Sequence, residues 1–185
     1  ENAPDFIAVN ISRRQLTDPG LPAKISSALK GSGIEPQCLH LEITESELVT
    51  DLNTARDTLR EIKKLGVALS VDDFGTGYSS LASLYDFPID VFKLDRSFIA
   101  ADLTSERGRA LMAVTHAVLQ LARNIGVRVI AEGVETAQQL AVLQSLRCDM
   151  AQGYFLGRPM PAQQVLAWST TALVGAFGGA LSSEP

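Results

Sequence analysis

Long hydrophobic runs are missing from this 185-residue sequence. None approaches the ~20 residues that a helix needs to cross a bilayer, and no basic segment leading into an apolar core opens the chain. Cysteine is scarce: Cys38 and Cys148 stand alone, without C-x-x-C spacing. That argues against a zinc framework or a disulfide scaffold and fits buried thiols in a reducing compartment. Positive charge is in the minority, with 16 Lys and Arg against 21 Asp and Glu, so no general basic field is available to long nucleic acid. An anionic ligand would have to be held locally, by a metal, Lys or Arg. What the chain does have is core material. With 46% hydrophobic and 20% charged residues it can bury one large core and is not disordered. It is expected to be soluble, cytoplasmic or the cytoplasmic part of something larger, with no membrane contact by this segment.

One alternation repeats along the chain. Strands are predicted over Phe6–Val9, Leu39–Thr44, Val67–Val71, Val91–Leu94, Val127–Ala131 and Met150–Phe155. Between them fall helices over Leu21–Lys30 (stopped by Gly31), about Asn53–Leu65 (ended by Gly66), Ser79–Asp86, Ser105–Asn124 and Ala137–Leu146, with a last helix from Ala162 onward. The long helix carries Leu111, Val114, Val118, Leu121 and Ile125 on one stripe, read here as its core face. Strict β/α alternation implies a parallel sheet, open or closed. The small-residue tail Val174–Ala180 reads as a frayed end or linker.

The stretch Ser70-Val-Asp-Asp-Phe-Gly-Thr-Gly-Tyr-Ser-Ser80 ends an apolar run on two carboxylates and a glycine-hinged loop. The strand period sends Ser70 and Asp72 to one face and Leu69 and Val71 to the other. Asp73 is expected where the strand gives out, with Gly75 and Gly77 bending the backbone so that it too turns toward what Asp72 faces. Two converging carboxylates repel unless a cation lies between them.

Similar residues recur in every unit. Asn10, Glu42, Asp72, Lys93, Glu132 and Gln152 each stand at or near the carboxyl end of a predicted strand, where α/β folds build their sites. Simpler explanations exist for some neighbours. Asp95, Asp51 and Thr136 fit helix N-caps, the spacing of Glu42 and Glu45 fits a capping arrangement, and Lys93 fits a structural partner of Asp95 or Glu132. His40, His116, Trp168 and the aromatic residues near the C-terminus read as structural. Capping accounts for any one of Asn10, Glu42, Asp72, Asp73 and Glu132, but not for their common level. All-oxygen donors of this kind suit Mg²⁺ or Mn²⁺ rather than zinc. Four carboxylates and an amide exceed what one Mg²⁺ usually takes from protein, which points to two metals with Asp72 as the candidate bridge. Two metals about 3.5–4 Å apart serve in-line attack on a phosphodiester, with Lys93 steadying the water or the developing charge.

Val9-Asn-Ile-Ser12, Leu41-Glu-Ile-Thr-Glu-Ser46, Asp72-Asp-Phe-Gly-Thr-Gly-Tyr78, Lys93-Leu-Asp95, Ala131-Glu-Gly-Val-Glu135 and Gln152-Gly-Tyr154, in this order, resemble the EAL-domain family across nearly the whole chain. The resemblance implies a modified TIM (β/α)8 barrel whose first strand runs antiparallel to the rest, here represented by about six of its eight units. It places the barrel over 1–172 and a tail over 173–185. The implied activity is Mg²⁺- or Mn²⁺-dependent hydrolysis of cyclic di-GMP to linear pGpG in bacterial second-messenger signalling; the alternative is a receptor that binds cyclic di-GMP without cleaving it.

Position by position, Asn10, Glu42 and Asp72 resemble ligands of a first metal, and Asp72, Asp73 and Glu132 those of a second. Lys93 resembles the lysine that holds the nucleophilic water, and Glu132 also has a general-base part in the family. Glu45 resembles the glutamate that steadies the loop after Asp72, a loop that in the family lies at a dimer contact. A homodimer through Asp72–Ser80 and a fused or coupled sensory or GGDEF-type domain are therefore expected partners. Asp95, Glu135 and Gln152 resemble second-layer or substrate-contacting positions. The Glu-Ala-Leu signature, with its metal-binding glutamate, belongs several tens of residues before Asn10. The chain is accordingly expected to be a piece without the first two strands, poorly active alone and inclined to associate through its open edges.

Overall fold

In a computed structural model of the chain, residues 5–50, 52–76, 87–99 and 104–165 are described. Six strands are joined in sequence order into one sheet: β1 (Ile7–Asn10), β2 (Leu39–Thr44), β3 (Ala68–Phe74), β4 (Val91–Leu94), β5 (Arg128–Ala131) and β6 (Met150–Ala151). Every pairing is parallel. Parallel strands in sequence order, joined by crossovers of the usual single hand, imply connecting helices on one face, and the sheet curls into a half-barrel. The antiparallel strand that the resemblance implies is not among the described strands.

The helices are α1 (Arg13–Leu16), α2 (Leu21–Ser32), α3 (Glu45–Thr50), α4 (Leu52–Lys63), α5 (Glu106–Ile125) and α6 (Ala137–Ser145). The period of two decides what they cover. Leu41 and Ile43, Leu69 and Val71, Phe92 and Leu94, Val129 and Ala131 alternate along their strands and are all buried among Leu48, Leu59, Ile62, Leu119, Leu140 and Leu143. Burying side chains of this size stabilises by about 1.5–3 kcal/mol each. The alternate positions, His40, Glu42, Ser70, Asp72, Lys93 and Glu132, are thereby turned to the concave face.

Several boundaries differ from expectation. α2 runs through Gly31 to Ser32 and stops at Gly33, whose φ of 70° is the left-handed conformation that glycine supplies without strain. β1 begins one residue later than expected and takes in Asn10, and a separate helix, α3, precedes α4. β6 is two residues long where Met150–Phe155 was expected. The core stripe of α5 is borne out only in part: Val118 packs against the core, but Gly108, Thr115, Leu119 and Ala122 are the buried residues, and Val114 and Ile125 are exposed. Tyr154 and Phe155, at the end of the strand expected there, are exposed. The helix expected over Ser79–Asp86 falls within the undescribed stretch 77–86, and Trp168, Asp51, Gly77 and the 173–185 tail also fall outside the described residues. No helix among the described residues is long and apolar enough to cross a membrane.

Candidate functional site

β3 does not end before its two carboxylates, because the strand continues through Asp72 and Asp73 to Phe74. The turn is made at Asp73 itself, whose φ is 54°, and the register of β3 with β4 shifts between Val71 and Phe74. A bulge adds one residue without a ladder partner and re-aims the side chains around it. That is how consecutive residues, which a regular strand would send to opposite faces, come together. Aspartate is among the few residues that tolerate such a φ. Phe74 then returns to the core and stacks on Phe92 at 4.3 Å between ring centroids.

The loop beyond is pinned from two sides. Glu45, buried at the start of α3 just past β2, accepts the Gly75 N–H at 2.8 Å. From the 3-10 turn after β4, Phe98 lies against Gly75, where a Cβ would come within 2.6 Å of the Phe98 ring; the Gly75 φ of 91° also favours glycine.

Lys93 is the centre of the site. Its Nζ lies 2.8 Å from Glu42 Oε2, 3.1 Å from Asp72 Oδ1 and 2.8 Å from Glu132 Oε1, and its side chain is only 6% exposed. Four strand ends therefore meet at one ammonium. Burial alone would push the pKa of Lys93 down, but hydrogen bonds and charge from Glu132 and Glu42 outweigh it and hold the group above its ordinary value. Burial pushes the Glu132 carboxyl up against the pull of Lys93, with Asp72 and Glu42 adding to the rise. Asp73 is raised too, first by burial and then by the charges of Asp72 and Asp95, with Lys93 opposing.

Asp72, Asp73 and Glu132 each bring a carboxylate oxygen within 4.8 Å of the others. A set of oxygens alone, from the end of β3 and from just past β5 across the intervening β4, fits a hard divalent cation. Glu42 joins this trio through Lys93. Asn10 is exposed and is the register partner of Glu42. Gln152 continues the ladder past β6, its N–H donated to Ala131 O at 2.8 Å and its carbonyl accepting Val134 N–H at 3.1 Å. Asp95 caps the turn that follows β4, accepting Ser97 N–H at 2.9 Å, as the simple capping reading has it. Glu135 is exposed, its backbone N–H bonded to Gln139 Oε1 at 2.7 Å. Thr136 caps α6 through Gln139 N–H at 3.2 Å.

Two supporting residues escaped the sequence reading. Phe98 carries no signal of its own, since only the fold brings it to Gly75. Glu47 did carry one, the Thr44-x-x-Glu47 spacing of a capping box.

The family model for the EAL domain matches residues 1–159. An uncharacterized signaling protein of Caulobacter vibrioides is 44% identical over 171 residues, 92% of this chain and 21% of its own length. MucR of Pseudomonas aeruginosa, a bifunctional diguanylate cyclase/cyclic di-GMP phosphodiesterase, is 42% identical over 161 residues, 87% of this chain and 23% of its length. The chain thus spans about a fifth of the curated relatives it matches. A solved PaMucR phosphodiesterase in complex with c-di-GMP aligns at a TM-score of 0.79 and 40% identity, over 86% of this chain and 70% of that one. A manganese/cyclic di-GMP complex of BlrP1 from Klebsiella pneumoniae aligns at 0.77 and 30% identity, over 83% of this chain and 39% of that one. With its motifs, its strand order and the family match in agreement, the chain belongs to the EAL domain family.

Proposed function

We propose that the chain is the catalytic part of a metal-dependent phosphodiesterase that opens one phosphodiester bond of cyclic di-GMP to give linear pGpG. The observation that carries this reading is the convergence of Glu42, Asp72 and Glu132 on the buried Lys93 ammonium, with Asp73 turned beside Asp72. Charged side chains at such a depth are costly unless they serve one another and a ligand. The phosphodiesterase and cyclic di-GMP names of the relatives support the same substrate.

In this reading Asn10, Glu42 and Asp72 hold one divalent cation and Asp72, Asp73 and Glu132 a second, with Mg²⁺ or Mn²⁺ preferred. The chemistry such a pair supplies when bound is a water of lowered pKa and a clamp on the leaving oxygen. Lys93 orients that water or a phosphate oxygen from a fixed position, because its three carboxylate partners leave it little freedom. Glu132 also has the general-base part, the residue that would take up the water proton. Glu45 holds the Asp72–Asp73 turn in place through Gly75. Asp95, Glu135 and Gln152 stand around this centre as second-layer or substrate-contacting residues. The barrel is taken to extend over 1–172, with a homodimer contact at the Asp72–Ser80 loop and a sensory or GGDEF-type domain coupled to it.

Incubation of the full protein with cyclic di-GMP, followed by chromatography of the products, tests the reading. It predicts pGpG with Mg²⁺ or Mn²⁺, no turnover in excess EDTA, and inhibition by Ca²⁺, whose larger and looser coordination does not hold water and phosphate in line. Turnover that survives EDTA would remove the metal from the mechanism. Tight binding of cyclic di-GMP without any cleavage would make the chain a receptor.

A further inference from the structure

The Glu47 carboxylate closes two helix N-termini at once. Its Oε2 accepts the Thr44 N–H at 3.1 Å, the return half of a capping box at the start of α3. Its Oε1 accepts the Arg13 N–H at 2.9 Å, across a sequence separation of 34 residues, at the first turn of α1. N–H groups at a helix start have no partner within the helix, so an oxygen from elsewhere is well used there. A glutamate that served α3 alone would need only one of its oxygens.

The two N–H groups lie just past the residues read above as ligands of the first metal. Thr44 follows Glu42 by two positions and Arg13 follows Asn10 by three, while Asn10 and Glu42 are register partners. Among the described residues β1 pairs with β2 alone. Beyond the paired residues, the Ile11 N–H donated to Glu42 O at 2.8 Å is followed by the Arg13–Glu47 bond.

We infer that Glu47 is a positioning residue for the metal site: by tying the chain after β1 to the end of β2, it fixes Asn10 against Glu42. This rests on the reading of Asn10 and Glu42 as metal ligands. Glu47 touches neither metal nor substrate in this account; it acts through the two strand ends.

The test is Mn²⁺ binding to the full protein, read from the electron paramagnetic resonance of the free ion during titration, beside thermal melting. In Glu47→Ala the Mn²⁺ dissociation constant rises about tenfold or more, the scale on which losing a supporting partner weakens a metal site. The control is Ser105→Ala, which removes the hydroxyl that accepts Gly108 N–H at 3.0 Å and caps α5. It lowers the melting temperature and leaves the dissociation constant where it was. Glu47→Gln keeps one acceptor oxygen and falls between the alanine variant and the unaltered protein; it carries the comparison if the alanine variant does not fold. Glu47 variants that melt earlier yet bind Mn²⁺ as tightly as the unaltered protein would overturn the inference and leave Glu47 an ordinary cap. An unaltered protein that neither binds Mn²⁺ nor cleaves cyclic di-GMP overturns the reading of the site itself, and the inference with it.

Discussion

Lys93 Nζ and Glu42 Oε2 lie 2.8 Å apart although their strands are not neighbours, since β3 runs between β2 and β4. The bond spans the intervening strand at the point where Asp72 rises, and Asp72 shares the same ammonium at 3.1 Å. Lys93 thus holds together carboxylates that would otherwise repel. In metal-free protein, Lys93→Ala is expected to lower stability by about 3–5 kcal/mol, the usual result of leaving buried charges uncompensated. Added Mn²⁺ should restore part of the loss while hydrolysis stays abolished. Thermal melting with and without Mn²⁺ checks this, and a variant that melts like the parent in both conditions would show that the three carboxylates do not need the lysine.

Gly75 is held by Glu45 through its N–H and by Phe98 through lack of space. Gly75→Ala meets two penalties, a clash with the Phe98 ring and an alanine at φ 91°. Because the Asp72–Asp73 turn lies directly before it, a displacement of ~1 Å is expected to lower kcat by about 100-fold. The double variant Gly75→Ala/Phe98→Ala removes the clash and keeps the φ strain, so its activity should recover only in part. Full activity in the single variant would show that the loop position is immaterial to turnover.

The alternation of strands and helices was legible because each strand carries buried residues at period two, as in Leu41 and Ile43 or Leu69 and Val71. The level of the site was legible for the same reason, since polar residues recur at strand ends. Phase was harder. In α5 the apolar residues Leu111, Val114, Val118, Leu121 and Ile125 form a true stripe, yet the sheet covers the neighbouring stripe through Thr115 and Leu119. Periodicity gives the face of a helix but not which face its neighbour takes. The bulge at Asp73 was also beyond sequence reading. The glycines suggested a turn after the strand, which Gly75 makes at φ 91°, but gave no sign of the left-handed Asp73 within it.

His40 lies on the concave face, buried and stacked on Phe6 with ring centroids 3.9 Å apart. Burial lowers its pKa from 6.5, and Arg128 and Lys63 lower it further against Asp90. The unfolded chain therefore takes up a proton near pH 6.5 that the folded chain still refuses. The His40 contribution to stability is complete above that pH and shrinks as pH falls below it, by at most about 1.4 kcal/mol per pH unit. Urea unfolding between pH 7.5 and 5 should show this slope in the parent and a shallower one in His40→Gln (pH values of about these limits keep most carboxylates ionised). Equal slopes would mean that the folded protein accommodates the His40 proton.

The contrast between Asp72 and Asp95 separates a proposed ligand from a cap. Both are acidic and stand near a strand end, and sequence alone allowed Asp95 either a cap or a second-layer or substrate-contacting role. Asp72 contacts Lys93 and shares a trio of carboxylates with Asp73 and Glu132, whereas Asp95 accepts the Ser97 N–H and its pKa is lowered, Ser97 and Arg96 outweighing burial. Asp72→Asn removes a charge from the centre of the proposed two-metal site, so hydrolysis at saturating Mn²⁺ should fall by at least about 100-fold. Asp95→Asn keeps an oxygen able to accept the Ser97 N–H, and asparagine is as good a cap as aspartate, so its loss should stay within about tenfold. Steady-state hydrolysis of cyclic di-GMP over a range of Mn²⁺ concentrations distinguishes the two. Equal residual rates at metal saturation would place the centre of the chemistry somewhere other than Asp72.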